Sequence, residues 1–266
     1  MVSIYTYKIQ QMKKLIITLI AAISLFILPQ KSFAWGAKGH QLVAEIAFKY
    51  LDDSTQQKVK HYLKRMSIEE AGTWMDDMRS NDYYSYMRPW HYIDIPKDSS
   101  FKPTNEGNIL TVLNSVLVKM KHKETLKDSE IKQYILMAFH LIGDLHQPLH
   151  TGYPIDKGGN AIDIKAPGYS GNLHSFWDTE MIDAKKINID SCTQYYSSFT
   201  PNQLNDIQHI DLLKWMTDSR SNLEEVYNFK DGKIDKVYID KNAIVVEKQL
   251  LIGGLRLASF LKAIFS

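Results

Sequence analysis

Cysteine is nearly absent. Cys192 is the only one in 266 residues, so the chain forms no internal disulfide and must draw its stability from a packed core or from bound ions. Asn-x-Ser/Thr sequons are absent too, which excludes N-linked glycan acceptors. Neither sign of charge dominates: 32 basic residues stand against 30 acidic ones, a formal net charge of +2. Residues 1–34 hold Lys8, Lys13, Lys14 and Lys31 and no acid, so their loss leaves 28 against 30, or −2. A strongly basic surface is thereby excluded as the route to a polyanion. Nothing in the chain resembles a linker, a repeat or a low-complexity tract. About 230 residues are enough for one well-buried domain.

Long apolar runs are missing as well, apart from Leu15–Leu28, which falls short of the roughly 20 residues a membrane span needs. That run follows Lys13 and Lys14 and is trailed by Ser32-Phe33-Ala34, whose last residue suits a signal peptidase. The pattern predicts a signal peptide over 1–34, with Met12 as an alternative start, and a mature domain over 35–266. It implies a secreted or periplasmic protein without stable membrane association after cleavage; an uncleaved anchor is the alternative. Cleavage would make Trp35 the first residue, and its free amine would lie five positions ahead of His40.

What is present is helical periodicity. Leu42, Val43, Ile46, Ala47 and Tyr50 recur at helical spacing, as do Val59, Leu63 and Met66 after Ser54. Ile109 to Met120 forms a third stripe and Ile131 to Ile142 a fourth, which Pro148 must end. Further helices are expected around 174–181, 211–227 and 242–265, with a short hairpin at Ile162 and Ile164 after Gly158-Gly159. The fold class is all-α with minor β. Two stretches read as irregular, 79–89 and 97–107. The first is crowded with Tyr83, Tyr84 and Tyr86, which either cover the edge of the core or stack on a planar ligand.

One local pattern occurs twice, His140 with Asp144 and His174 with Asp178. Residues four apart share a helical face, so each pair aims an imidazole and a carboxylate at one point, half of a zinc site. Further donors are His40, Asp76, His91 and His150. These contexts absorb five of the nine histidines, leaving His61, His122, His146 and His209 without such a setting. By helical phase His146 faces away from the His140 and Asp144 stripe.

Read in order, the motifs are Trp35-Gly36 with Gly39-His40, Trp74-x-Asp76-x-x-Arg79, His91-Tyr92-Ile93-Asp94, His140-x-x-Gly143-Asp144, Gln147-Pro148-Leu149-His150, Gly158-Gly159-Asn160 and Asn172-Leu173-His174-x-x-Trp177-Asp178. Together they resemble the zinc-dependent single-strand-specific nuclease and 3′-nucleotidase family, the fungal and plant nucleases called S-one and P-one. The resemblance implies a mostly helical domain of the zinc phospholipase C type with a cofactor complement of three Zn²⁺. Carried over, one zinc is held by Asp76, His91, His140 and Asp144, and a second by His150, His174 and Asp178. The third takes the amine and carbonyl of Trp35, His40 and the other oxygen of Asp144.

The same resemblance implies attack on phosphorus by a hydroxide held between two ions, giving 5′-phosphate products from single-stranded DNA and RNA and phosphate from 3′-nucleotides. Arg79 would neutralise the phosphoryl oxygens beside Asp76, its bland role being a salt bridge to Asp77 or Asp82. Tyr92, Asp94 and Asn160 would hold the base, the ring stacking and the carboxylate accepting from an exocyclic amine. Alternatively, Tyr92 and Asp94 belong to a short structural strand beside His91. Three zinc ions bring six positive charges against three ligand aspartates, so the cleft is locally cationic and affinity is expected to depend only weakly on salt.

The segment from His150 to Gly158 is one residue longer than the fungal pattern, which leaves the second wall of the base pocket unassigned. The missing disulfides and sequons suggest a bacterial form. The competing readings are a zinc phospholipase C, which would share the metal ligands and Trp35, and a non-catalytic zinc-binding protein. No protein partner is implied.

Overall fold

The computed structural model describes residues 35–265; the expected leader and the alternative start at Met12 lie outside them. The first helix, α1 (Ala37–Tyr50), turns His40, Leu42, Val43, Ile46 and Ala47 inward, as its stripe predicts. Asp52 caps α2 (Asp53–Leu63) by accepting from Thr55 N–H at 2.9 Å. A reciprocal cap between Ser67 and Glu70 then starts α3 (Ile68–Asp77), an element the apolar periodicity does not announce. Asp76 sits one residue from its end.

The stretch read as irregular from residue 79 is instead mostly a 3-10 helix over Asp82–His91 with Pro89 inside it. Residues 97–107 carry no regular element, as expected. Asn108 caps α4 (Ile109–Met120), and α5 (Asp128–Leu145) follows, buried from Ile135 to its last residue. It stops before Pro148, as that residue requires.

The expected hairpin is β1 (Asp163–Ala166) against β2 (Tyr169–Asn172), antiparallel from Asp163↔Asn172 to Ala166↔Tyr169. Gly168, at φ +76, takes the left-handed turn position. A composite helix follows, α over Leu173–Ser175, π over Phe176–Glu180 and α over Met181–Ala184. The helix expected over 211–227 divides at Ser221 and Asn222. Its first part is α7 (Leu212–Arg220), preceded by α6 (Pro201–Gln208). The last helix, α8 (Lys236–Phe265), begins before residue 242 because Asp235 accepts from Tyr238 N–H at 2.8 Å.

The core lies where α8 runs along α1 and α5, with α3 packed on both α1 and α5 and α4 packed on α5. Gly254 lets α8 close on α1, since a β-carbon there would collide with Ile46. Trp35, Trp177, Trp215, Phe139, Phe176 and Phe260 are the largest wholly buried rings. Among the described residues, no helix is long and apolar enough to cross a membrane. This packing brings the start of α1, the end of α3 and the second half of α5 to one place.

Candidate metal centre

His40 enters from the first turn of α1, and two glycines make room for it. A β-carbon on Gly143 of α5 would lie 2.7 Å from His40 Nδ1, and one on Gly72 of α3 would lie 3.0 Å from its carbonyl oxygen. The ring stacks on His140, centroids 3.9 Å apart and 15° between planes. Gly143→Ala is therefore expected to displace His40 and cost about 1–3 kcal/mol through overpacking, read as a lower melting temperature with a matching loss of bound metal.

Asp144 divides its two oxygens between neighbours. Oδ2 lies 2.9 Å from His91 Nδ1 and 3.3 Å from His140 Nε2, while Oδ1 lies 3.2 Å from His40 Nε2. Asp76 Oδ1 approaches His140 Nε2 at 3.7 Å and His91 Nδ1 at 4.0 Å. Farther along, His150 and His174 bring their Nε2 atoms to 3.2 Å, and Asp178 Oδ2 stands 3.4 Å from His174 Nε2. Three buried groups result, His40/Asp76/His140, His91/His140/Asp144 and His150/His174/Asp178, each with donor atoms within 4.8 Å of one another. His40 thus gathers with Asp76 and His140 as well as with Asp144.

The outward nitrogens decide what the inward ones are. His140 Nδ1 donates to Gly72 O at 2.7 Å, His150 Nδ1 to His91 O at 2.7 Å and His174 Nδ1 to Gly158 O at 2.5 Å. A carbonyl only accepts, so in the neutral form of each ring the proton is spent there and Nε2 keeps its lone pair. Burial pushes His150 down to about 3 and His174 down to about 4, so both rings are neutral near pH 7 and two lone pairs face each other. Burial also opposes charge on His140, but the Asp144 and Asp76 carboxylates outweigh it and raise the ring to about 9. The local field favours a cation at that point.

Orphaned polar atoms gather in the same place. His40 Nδ1 and Nε2, His91 Nε2, Asp76 Oδ1, Asp144 Oδ1 and Asp178 Oδ2 are buried without a hydrogen-bond partner. Each costs about 1–3 kcal/mol if left so. Nitrogen and carboxylate donors in this arrangement fit divalent zinc.

Trp35 is wholly buried, and Gly36 N–H donates to Asp178 O at 2.8 Å, which ties that end of the described chain to the His174/Asp178 pair. Burial pushes the Asp178 carboxyl well above its usual range, against the pull of Gln147. Gln147 Nε2 donates to Asp178 Oδ1 at 2.6 Å and leaves Oδ2 toward His174. His146 indeed faces away, its Nε2 accepting from Arg256 Nη1 at 3.0 Å.

Arg79 Nε stands 3.4 Å from Asp76 Oδ1, which brings the guanidinium to the carboxylate expected to hold a metal. Tyr92 and Asp94 alternate with buried Ile93 and Ile95 on an extended segment, whose N–H groups at Ile93 and Ile95 donate to His150 O and Gly152 O at 2.8 and 3.0 Å. The strand-like backbone is thus present, and it turns Tyr92 and Asp94 outward together. Burial, reinforced by Asp156, raises the Asp94 carboxyl. Beside it opens a cavity of about 290 Å³, lined also by Ser99, Phe101 and Lys102.

Asn160 is not joined to that pair: its amide donates to Lys157 O at 2.9 Å, and among the described residues no hydrogen bond links it to Tyr92 or Asp94. Arg220, with no place in the motifs, clamps the extended segment to its neighbour. It donates to Thr151 O, to Gly152 O at 2.8 Å and to Ile95 O at 2.6 Å. A tertiary clamp of this kind leaves no spacing signal; Gln147 and Gly143 are visible in sequence only as neighbours of ligand-type residues.

The family model described as S1/P1 Nuclease matches residues 35–266. Endonuclease 4 of Arabidopsis thaliana is 25% identical over 276 residues, 88% of this chain and 90% of the relative. Nuclease S1 of Aspergillus oryzae is 26% identical over 278 residues, 90% and 94% respectively. Nuclease P1 of Penicillium citrinum is 29% identical over 161 residues, 55% of this chain and 58% of the relative.

Proposed function

The chain belongs to the S1/P1 nuclease family, and from that premise and the site geometry we propose that it is an extracytoplasmic zinc-dependent endonuclease for single-stranded DNA and RNA with 3′-nucleotidase activity. One observation carries the zinc requirement: three buried histidine and aspartate groups meet, and His140, His150 and His174 turn Nδ1 outward onto carbonyls, which leaves Nε2 facing the other donors. Asp76, His91, His140 and Asp144 would hold one ion, His150, His174 and Asp178 a second, and His40, Asp144 and the Trp35 amine and carbonyl a third. Bound zinc supplies Lewis acidity toward a phosphoryl oxygen and lowers the pKa of water to roughly 7.

The chain's own residues bind and orient the substrate. Arg79 presents its guanidinium beside Asp76, where it would meet the non-bridging phosphoryl oxygens. Tyr92, 42% exposed, would stack on the base, and Asp94 would accept from an exocyclic amine. Asn160 would join them only after giving up its bond to Lys157. In hydrolysis the phosphorus gains the oxygen of water and loses the 3′ oxygen, so the 5′ fragment leaves with a free 3′-hydroxyl and the 3′ fragment carries a 5′-phosphate.

Lys13, Lys14 and the Leu15–Leu28 run would export the chain and be removed before Trp35, where the family match begins. An added methionine before Trp35 is expected to leave the protein about one zinc short per chain and weakly active. Equal zinc and activity would exclude the terminal amine as a ligand.

The test of the whole proposal is zinc content and hydrolysis of single-stranded DNA, RNA and 3′-AMP by protein processed to Trp35, with and without chelator. About three zinc per chain and chelator-sensitive release of 5′-phosphate ends are expected. Zinc without any such cleavage would overturn it; hydrolysis of phosphatidylcholine instead would identify a phospholipase C.

A further inference from the structure

Tyr83, Tyr86 and Tyr92 are 75%, 49% and 42% exposed, and all three fall within ten residues of sequence. The 3-10 helix over Asp82–His91 explains their arrangement. At three residues per turn, side chains three apart stand in one line. Tyr84, Met87 and Trp90 form the inner line, with Met87 buried and Tyr84 set edge-on to Trp74 at 5.5 Å. Asp82, Ser85 and Arg88 form a polar line that ends at His91, and Arg88 reaches back to Arg79 O at 3.3 Å. The remaining line is Tyr83, Tyr86 and Pro89, all exposed, and it points on to Tyr92 at the helix end.

Both ends of this segment are fixed at the candidate site, by Asp76 with Arg79 at one end and by His91 at the other. The outer rings are braced from below, Tyr83 against Tyr84 at 5.0 Å and 87°, and Tyr86 against Trp90 at 5.1 Å and 75°. Core packing requires the inner line but does not require tyrosines on the outer one. Successive rings on that line are about 6 Å apart along the axis, from a rise of roughly 2.0 Å per residue. That approaches twice the roughly 3.4 Å repeat of a stacked strand, the spacing at which a ring alternates with a base.

We propose that Tyr83 and Tyr86 form a stacking track for further unpaired bases of a single-stranded nucleic acid, continuing outward from the base held at Tyr92. This rests on the nuclease reading above. Rings favour bases of any identity, and Arg88 on the adjacent line suits the phosphates between them. The track acts only on substrates longer than those held at the metal centre.

The test uses zinc-loaded protein processed to Trp35, wild type, Tyr83→Ala/Tyr86→Ala and Tyr83→Phe/Tyr86→Phe. Hydrolysis is measured on 3′-AMP, a thymidine dinucleotide and a long oligothymidylate. Affinity is measured by fluorescence anisotropy with a phosphorothioate oligothymidylate. The alanine pair is expected to raise KM and Kd for the long strand roughly ten- to a hundredfold, with 3′-AMP kinetics unchanged and the phenylalanine pair close to wild type. Unchanged affinity for the long strand, or an equal loss on 3′-AMP, would overturn the track. Wild-type protein that binds oligothymidylate through these tyrosines yet cleaves nothing would overturn the nuclease reading and leave the track standing.

Discussion

Asp144→Asn is expected to remove two zinc ions from each chain at once and to lower phosphodiester hydrolysis by at least about a thousandfold. The wholly buried carboxylate faces His91 and His140 through Oδ2 and His40 through Oδ1. Burial works against its charge, but His140 beside Oδ2 outweighs it and holds the carboxyl well below the usual carboxylate range. It is therefore an anion near neutral pH, with an oxygen for each side.

An asparagine offers one oxygen and one NH₂, and the NH₂ only donates hydrogen bonds, with no lone pair to give a metal ion. At most one of the two sides then keeps an oxygen ligand, and neither keeps the charge. The group of His150, His174 and Asp178 does not include Asp144, so about one zinc should remain.

Asp144 also balances His140, so the substitution is expected to cost the metal-free fold about 3 kcal/mol, the penalty of breaking a buried pair. Metal must accordingly be counted on protein shown to be folded by circular dichroism. Three zinc retained in a folded Asp144→Asn protein would sink the shared-carboxylate assignment.

The legible and illegible parts of this molecule divide on physical grounds. His140 with Asp144 and His174 with Asp178 stand out because helical spacing alone puts each pair on one face. That logic survives even the π turn at Phe176–Glu180, across which His174 and Asp178 still meet at 3.4 Å. The long helices announce themselves through apolar stripes, but α3 does not. It spans only Ile68–Asp77, and of its residues only Ala71, Gly72, Met75 and Asp76 are buried, too short a stripe to read. Its signature lies instead in the Ser67 and Glu70 cap.

The 3-10 helix escapes a search for periods of 3.6 and 2 because its order has a period of three. Arg220, Gly72 and Gln147 are illegible for another reason: each acts on a partner distant in sequence, the carbonyls of 95 and 151–152, the backbone of His40 and the ring of His140, and the carboxylate of Asp178.

The second large effect is expected at Arg79. Arg79→Ala should lower kcat on single-stranded DNA and on 3′-AMP by about 10²–10³-fold, the cost of losing one preorganised charge donor, while about three zinc per chain remain. The guanidinium is 27% accessible and Nε lies 3.4 Å from Asp76 Oδ1, so it stands beside a ligand carboxylate with part of its surface open to solvent. An arginine used only to hold Asp76 would behave differently: its loss would release a ligand, and zinc content would fall together with activity.

The metal count thus separates a phosphate-binding role from a merely positional one. Arg79→Lys sharpens the distinction, because lysine restores the charge but not the planar pair of donors. It is expected to recover only part of kcat, with zinc content unchanged. Full recovery by lysine would show that charge alone suffices, and zinc loss in Arg79→Ala would return the residue to the support of Asp76.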